Sequence, residues 1–177
     1  DPEIIVKETK RKTEELEKSL PELRLIHGKT HHPRVQYFEG IEGIKGIYAD
    51  TLTSKTEILN YANSQEVRKN WPDYDTAYVQ KRVQKKIHLR GIAPLDEYGK
   101  KVKQEDKKYF REIRLIPAKE FNFSNEINIY DDKVAIVSFK DELIGMIIES
   151  SEIANTQRAI FKMAWEFSGN YDLSRNP

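Results

Sequence analysis

The sequence predicts an α/β fold: a mixed sheet flanked by helices, with a helix ahead of it. Three observations carry this. Apolar residues alternate between strand and helix spacing from Arg34 to Phe110. From Arg111 to Ile148 four strand-sized segments follow one another without intervening helices. Both ends carry apolar residues at helical spacing instead. A chain of 177 residues is long enough to bury a core of its own. With 33% charged and 38% hydrophobic residues and a mean hydropathy of −0.73, it fits neither a disordered nor a membrane-embedded chain. The longest apolar runs, Val134–Val137 and Met146–Ile148, fall far short of a bilayer span, so no membrane partner is expected. The absence of cysteine excludes disulfides and thiolate chemistry and suits the cytoplasm.

In the first segment, residues 1–26, Val6, Thr9, Thr13, Leu16, Leu20 and Leu23 recur in steps of three and four, the seam of a coiled coil. This predicts a linker or dimerisation helix, ended or kinked at Pro21, since proline lacks the backbone donor that a helix needs. Residues 27–33 read as a loop. Its three histidines, His27, His31 and His32, lack the spacing of a metal site, and no metal or cofactor is expected.

The body spans residues 34–168. Val35–Phe38 and Thr56–Tyr61 read as strands separated by a helix with Ile41, Ile44, Ile47, Tyr48 and Leu52 on its buried face. Ala77, Val79, Val83 and Ile87 mark a second helix, Leu89–Ala93 a third strand, and Leu95, Tyr98, Val102 and Tyr109 a third helix. This rhythm predicts a largely parallel first half. Arg111–Ile116, Glu126–Tyr130, Val134–Phe139 and Leu143–Ile148 complete the strands, with Asp131-Asp132 turning a hairpin. A last helix starts after Ser150, and the tail 169–177 is expected to fray.

Ligands settle beyond the carboxyl ends of strands in open α/β sheets. Tyr37 and Glu39 at the end of the first strand, with Tyr61 and Asn63 at the end of the second, are therefore candidate ligand-binding residues. Trp71-Pro72-Asp73-Tyr74 could serve as a lid or as a helix start. Gly40, Gly43 and Gly46 match no phosphate-binding pattern and suit close packing. Residues 79–114 carry 12 basic against 5 acidic side chains, either the solvated faces of two helices or a surface for phosphate groups. No nucleophile elbow or triad can be assembled, so no catalytic residue is assigned.

Two stretches carry a resemblance. Pro21-Glu22-Leu23 with Arg34–Ile44 (RVQYFEGIEGI) resembles the effector side of TrmB-like transcriptional regulators. Asn128–Phe139 (NIYDDKVAIVSF) resembles the strand–turn–strand that holds the phospholipase D catalytic motif. The resemblance implies a single phospholipase D-like domain behind a linker helix. It further implies a homodimer, a possible small-molecule effector, and DNA contact through a winged helix upstream; the start at Asp1 rather than Met fits such a piece of a longer protein.

The motif itself is degenerate. With Asp131 aligned on the motif aspartate, Ser124 stands where the nucleophilic histidine belongs and Glu126 where the lysine belongs; Ser138, Phe139 and Asp141 replace Gly, Ser and Asn. Imidazole attacks phosphorus and ammonium neutralises the developing charge, so serine and glutamate supply neither function. Glu126 joins the ligand candidates instead. The expectation is a sensing and dimerising domain that is not an enzyme; the alternatives are a divergent phospholipase D-like nuclease or phosphodiesterase, or a scaffold that only dimerises.

Overall fold

The computed structural model describes residues 2–29, 33–121, 123–140 and 142–170. They fall into two compact bodies, divided between His32 and Pro33. The first holds one helix, α1 (Pro2–Lys29), with Ile4, Ile5 and Val6 exposed. The expected break at Pro21 does not occur: the helix runs on through it to Lys29, so His27 is helical rather than part of a loop. A helix of this length survives the loss of one backbone bond at a proline because the bonds on either side persist. His31, His32 and the residues beyond Asn170 lie outside the described residues; Gly169 and Asn170, expected to fray, are helical.

The second body is built on one seven-stranded sheet. In chain order its elements are β1 (Arg34–Glu39), α2 (Gly40–Thr51), β2 (Ile58–Tyr61), α3 (Ser64–Asn70), a π-helical turn (Asp75–Val79) running into α4 (Gln80–Gln84), β3 (Leu89–Pro94) and α5 (Glu97–Gln104). β4 (Arg111–Ile116), β5 (Asn125–Tyr130), β6 (Lys133–Ser138), β7 (Ile144–Glu149) and α6 (Ser151–Asn170) follow. The strand order is β1-β7-β6-β5-β2-β3-β4. The sheet is mixed, as expected: β2–β3 and β3–β4 pair in parallel and the remaining neighbours antiparallel.

The largely parallel first half needs correction at β1. That strand does not neighbour β2; it lies on the far edge, antiparallel to β7, with Val35 and Tyr37 exposed. The reason lies in the next element. Gly40, at φ +68°, turns the chain sharply from β1 into α2, and its N–H bonds to the Leu143 carbonyl at the start of β7. α2 then packs back on β1, where a Cβ at position 43 would stand 3.2 Å from that of Phe38.

Strand alternation divides the core in two. On one face Ile58, Ile113, Ala135 and Val137 meet Ile44, Ile47 and Tyr48 of α2 and Tyr78 and Val79. On the other, Leu59, Tyr61, Ile92, Ile129 and Val134 meet Ala154, Phe161 and Trp165 of α6. α6 starts as the sequence suggests: the Ser150 hydroxyl accepts from the Ile153 N–H at 3.4 Å.

Among the described residues no helix is long and apolar enough to cross a membrane, and no group of three His, Asp or Glu side chains is placed to hold a metal ion.

Candidate functional site

β5 has the sequence NEINIY, in which polar and apolar residues alternate. Such alternation ordinarily marks a strand with one wet face. Here both faces are covered. Ile127 and Ile129 lie on the α6 side, while Glu126, Asn128 and Tyr130 lie with Asn60 of β2 under the helices of the other side and are buried. A polar cluster therefore occupies the interior at Glu126, the position that the sequence resemblance aligned with the motif lysine.

Glu126, only 4% exposed, is its centre. The Tyr48 hydroxyl of α2 donates a short hydrogen bond to Glu126 Oε2, and the Asn63 backbone N–H donates to Oε1 at 2.9 Å. Burial nevertheless pushes the Glu126 pKa up, because the two donors and the positive charge of Arg68 only partly offset the lost hydration. Arg68 is itself held bidentate by Asp75, Nη2 to Oδ1 at 2.6 Å and Nε to Oδ2 at 2.9 Å. Asn60 Nδ2 donates to Asn128 Oδ1 at 3.0 Å, which joins β2 to β5 inside the core.

Aromatic rings enclose this cluster. The Tyr48 ring stands edge-on to Trp71 (5.6 Å), Tyr74 (5.4 Å) and Tyr78 (4.9 Å), and Tyr74 stacks on Tyr78 at 5.2 Å. Burial raises Tyr78 to about 12, and its hydroxyl lies 2.9 Å from that of Thr51. Tyr74 and Tyr78 stand four residues apart, the spacing that puts side chains on one helical face, at the entry to the π-helical turn. The expected lid, Trp71–Tyr74, is instead a wall: Trp71 is buried and Tyr74 half-buried against Tyr48. The remaining space is a cavity of about 30 Å³ lined by Asn60, Arg68, Tyr74, Tyr78, Arg82 and Glu126. That volume holds roughly one water molecule, not a phosphodiester. Arg82, 1% exposed, is spent on main-chain carbonyls: those of Ile87, Phe110 (3.2 Å) and Tyr109 (2.7 Å).

The other two motif positions lie elsewhere. Ser124 is exposed beside the first residue of β5, its hydroxyl 2.9 Å from Asn125 Oδ1. Asp131 sits in the turn at the opposite end of the strand with φ +43°. Its carboxylate accepts from the backbone N–H groups of Lys55 and Thr56, both at 3.0 Å, and so fixes the approach to β2. Glu126 and Asp131 are separated by five residues of strand, about 17 Å at 3.4 Å per residue.

The five ligand candidates do not form one site. Asn63 and Glu126 meet, and Tyr61 lies on the neighbouring strand but on the opposite face of the sheet. Tyr37 and Glu39 end at the same margin of the sheet, yet β7, β6 and β5 intervene. At roughly 4.8 Å per strand step that puts them about 19 Å away. Sequence reasoning missed Arg68 and Tyr78 and gave Tyr48 only a place on a buried helix face; the signal available was the density of aromatics in Trp71–Tyr78.

Comparison with known proteins bears on the fold. No protein-family model matches the chain, and no curated protein matches it in sequence. Among solved structures, the chain is similar to TrmBL2, an archaeal chromatin protein whose structure shows a novel mode of DNA binding: TM-score 0.54 and 16% identity over 91% of this chain and 63% of that one. NucT from Helicobacter pylori gives a TM-score of 0.56 with 11% identity, covering 76% of this chain and 97% of that one. Nuc from Salmonella typhimurium, a phospholipase D family member, gives 0.55 with 14% identity, covering 76% and 95%. The body is thus a phospholipase D-like α/β domain. The chain spans about 63% of the length of TrmBL2.

Proposed function

We propose that this chain is the effector-sensing and dimerising region of a TrmB-like transcriptional regulator, without phosphodiesterase activity, whose DNA contact comes from a winged helix upstream. The observation that carries the reading is the burial of Glu126. A phosphoryl-cleaving site needs an exposed cation at that position, and this one holds an enclosed carboxyl group bonded to Tyr48 and Asn63. The likeness in fold to TrmBL2, a DNA-binding chromatin protein, over 91% of the chain supports a DNA-associated role.

The dimer draws support from α1. A 28-residue helix with Ile4, Ile5 and Val6 more than half exposed gains most of its stability by packing its apolar seam, and a second copy supplies a matching one. Freedom from cysteine favours a cytoplasmic setting.

Two measurements test this reading. Sedimentation of the purified chain should give a dimer, and Val6→Glu on the α1 seam should weaken it. Incubation with bis(4-nitrophenyl) phosphate and with labelled DNA, with and without divalent metal ions, should give no turnover. Turnover that disappears in Ser124→Ala or Asp131→Ala would establish the nuclease alternative in its place.

A further inference from the structure

On the other face of the sheet, away from Glu126, the α6 side opens into a groove of about 700 Å³. This lies within the range of small-molecule sites, about 300–1,000 Å³. α6 carries two apolar stripes. Ala154, Phe161 and Trp165 dock it on the sheet, while Ile160 (41% exposed), Met163 (68%) and Phe167 (49%), the last edge-on to Phe121 at 5.7 Å, wall the groove. Phe123 and Ile127 line it as well.

A second observation, independent of the groove's shape, concerns Tyr61. This side chain also lines the groove and is 7% exposed, and its hydroxyl is buried without a hydrogen-bond partner among the described residues. A buried hydroxyl left unpaired is unfavourable, because the hydration it loses is not replaced. Its ring is wedged edge-on between Phe123 at 5.4 Å and Phe161 at 5.3 Å. Burial raises its pKa, which keeps it a neutral donor. Among the described residues the groove's lining includes no charged side chain; Ser124, Asn125 and Gln157 are its other polar members. A phosphate-bearing ligand would find no cation there, and a sugar would find too few polar partners for its hydroxyls.

The geometry points to a binding site for a neutral, largely apolar small molecule carrying a hydrogen-bond acceptor for the Tyr61 hydroxyl. The assignment rests on the effector reading above and gives it a place and a ligand class. It also separates sensing from Glu126: the ligand binds on the α6 face, where Ser124 alone of the three aligned motif positions borders the groove, and the Glu126 cluster serves as core.

The test uses the whole chain and Prodan, a neutral naphthyl ketone whose carbonyl accepts hydrogen bonds and whose emission moves to the blue in apolar surroundings. The expected result is saturable, blue-shifted binding of one Prodan per chain. Tyr61→Phe should weaken it about three- to tenfold, the worth of one neutral hydrogen bond. The same variant should leave the thermal stability of the ligand-free chain unchanged or higher, since it deletes an unpaired hydroxyl; a tyrosine kept only for structure would cost stability instead. Met163→Arg, on an exposed wall position, should abolish saturable binding while leaving the sedimentation of the chain unchanged. Non-saturable Prodan emission, or equal affinity in Tyr61→Phe, would overturn the assignment. So would conversion of a dimer to a monomer by Met163→Arg, which would make the groove an interface between copies. Sedimentation of the unaltered chain reads the dimer separately, so a failed groove and a failed regulator reading leave different records.

Discussion

Tyr48→Phe removes one oxygen and keeps the ring that packs against Trp71, Tyr74 and Tyr78. The lost hydroxyl is one of two donors to a carboxylate that is 4% exposed, so water cannot readily replace it. Hydrogen bonds to buried charged groups contribute about 1.5–3 kcal/mol, and that is the expected loss in unfolding free energy. For a domain of this size it corresponds to a drop of about 4–10 °C in melting temperature. Urea denaturation on the alkaline side of the Glu126 titration, located from the pH dependence of stability, gives the number, and a double-mutant cycle gives its origin. In a Glu126→Gln background the same substitution should cost less than about 1 kcal/mol, because the charge that strengthens the bond is gone. A loss below about 0.5 kcal/mol, or the same loss in both backgrounds, would refute the claim that the Tyr48 hydroxyl holds the Glu126 carboxylate in the core.

Further expectations follow from the same contacts. The folded chain holds the Glu126 proton more tightly than the unfolded chain, whose ordinary carboxylate value is near 4.5, so the folded state binds more protons between that value and the raised one. Stability therefore falls as pH rises through that window, and melting curves of Glu126→Gln against the unaltered chain should shift in the variant's favour over the same interval; a gap independent of pH would contradict this. Arg82→Met keeps the apolar stem but strands the carbonyls of Ile87, Tyr109 and Phe110, and should cost about 3–5 kcal/mol in denaturant titration. Asp131→Ala should cost about 1–2 kcal/mol through the freed Lys55 and Thr56 N–H groups, and an unchanged melting temperature would remove the structural role assigned to it.

Local pattern made much of the fold legible. The periodicity of Ile41, Ile44, Ile47 and Tyr48 placed α2, Asp131-Asp132 placed the β5–β6 turn, and Ser150 placed the start of α6. Pairing across the chain was less legible. Nothing in Arg34–Glu39 says whether its neighbour is β2 or β7, because strand alternation fixes faces and not partners. The short α3 went unseen in a polar stretch, and the helix expected from Ala77 to Ile87 is a π-helical turn followed by five residues of α4. At the candidate site Glu126 was legible as a departure from the motif, but its burial was not. The alternation of Glu126, Asn128 and Tyr130 with isoleucines reads as a solvent face until Tyr48, Trp71 and Tyr74 are brought over it by elements far away in sequence.

The position of β1 has a kinetic consequence. Its ladder matches Arg34 with Glu149 and Glu39 with Ile144, partners drawn from nearly the opposite end of the chain, and no other strand touches it. Loop closure that long is slow unless its target already exists, so the two hairpins from β5 to β7 must assemble before β1 has an edge to join. The first strand of this sheet in chain order is then the last to find its seat, and native-state hydrogen exchange should show its amides opening ahead of those of β2 and β5.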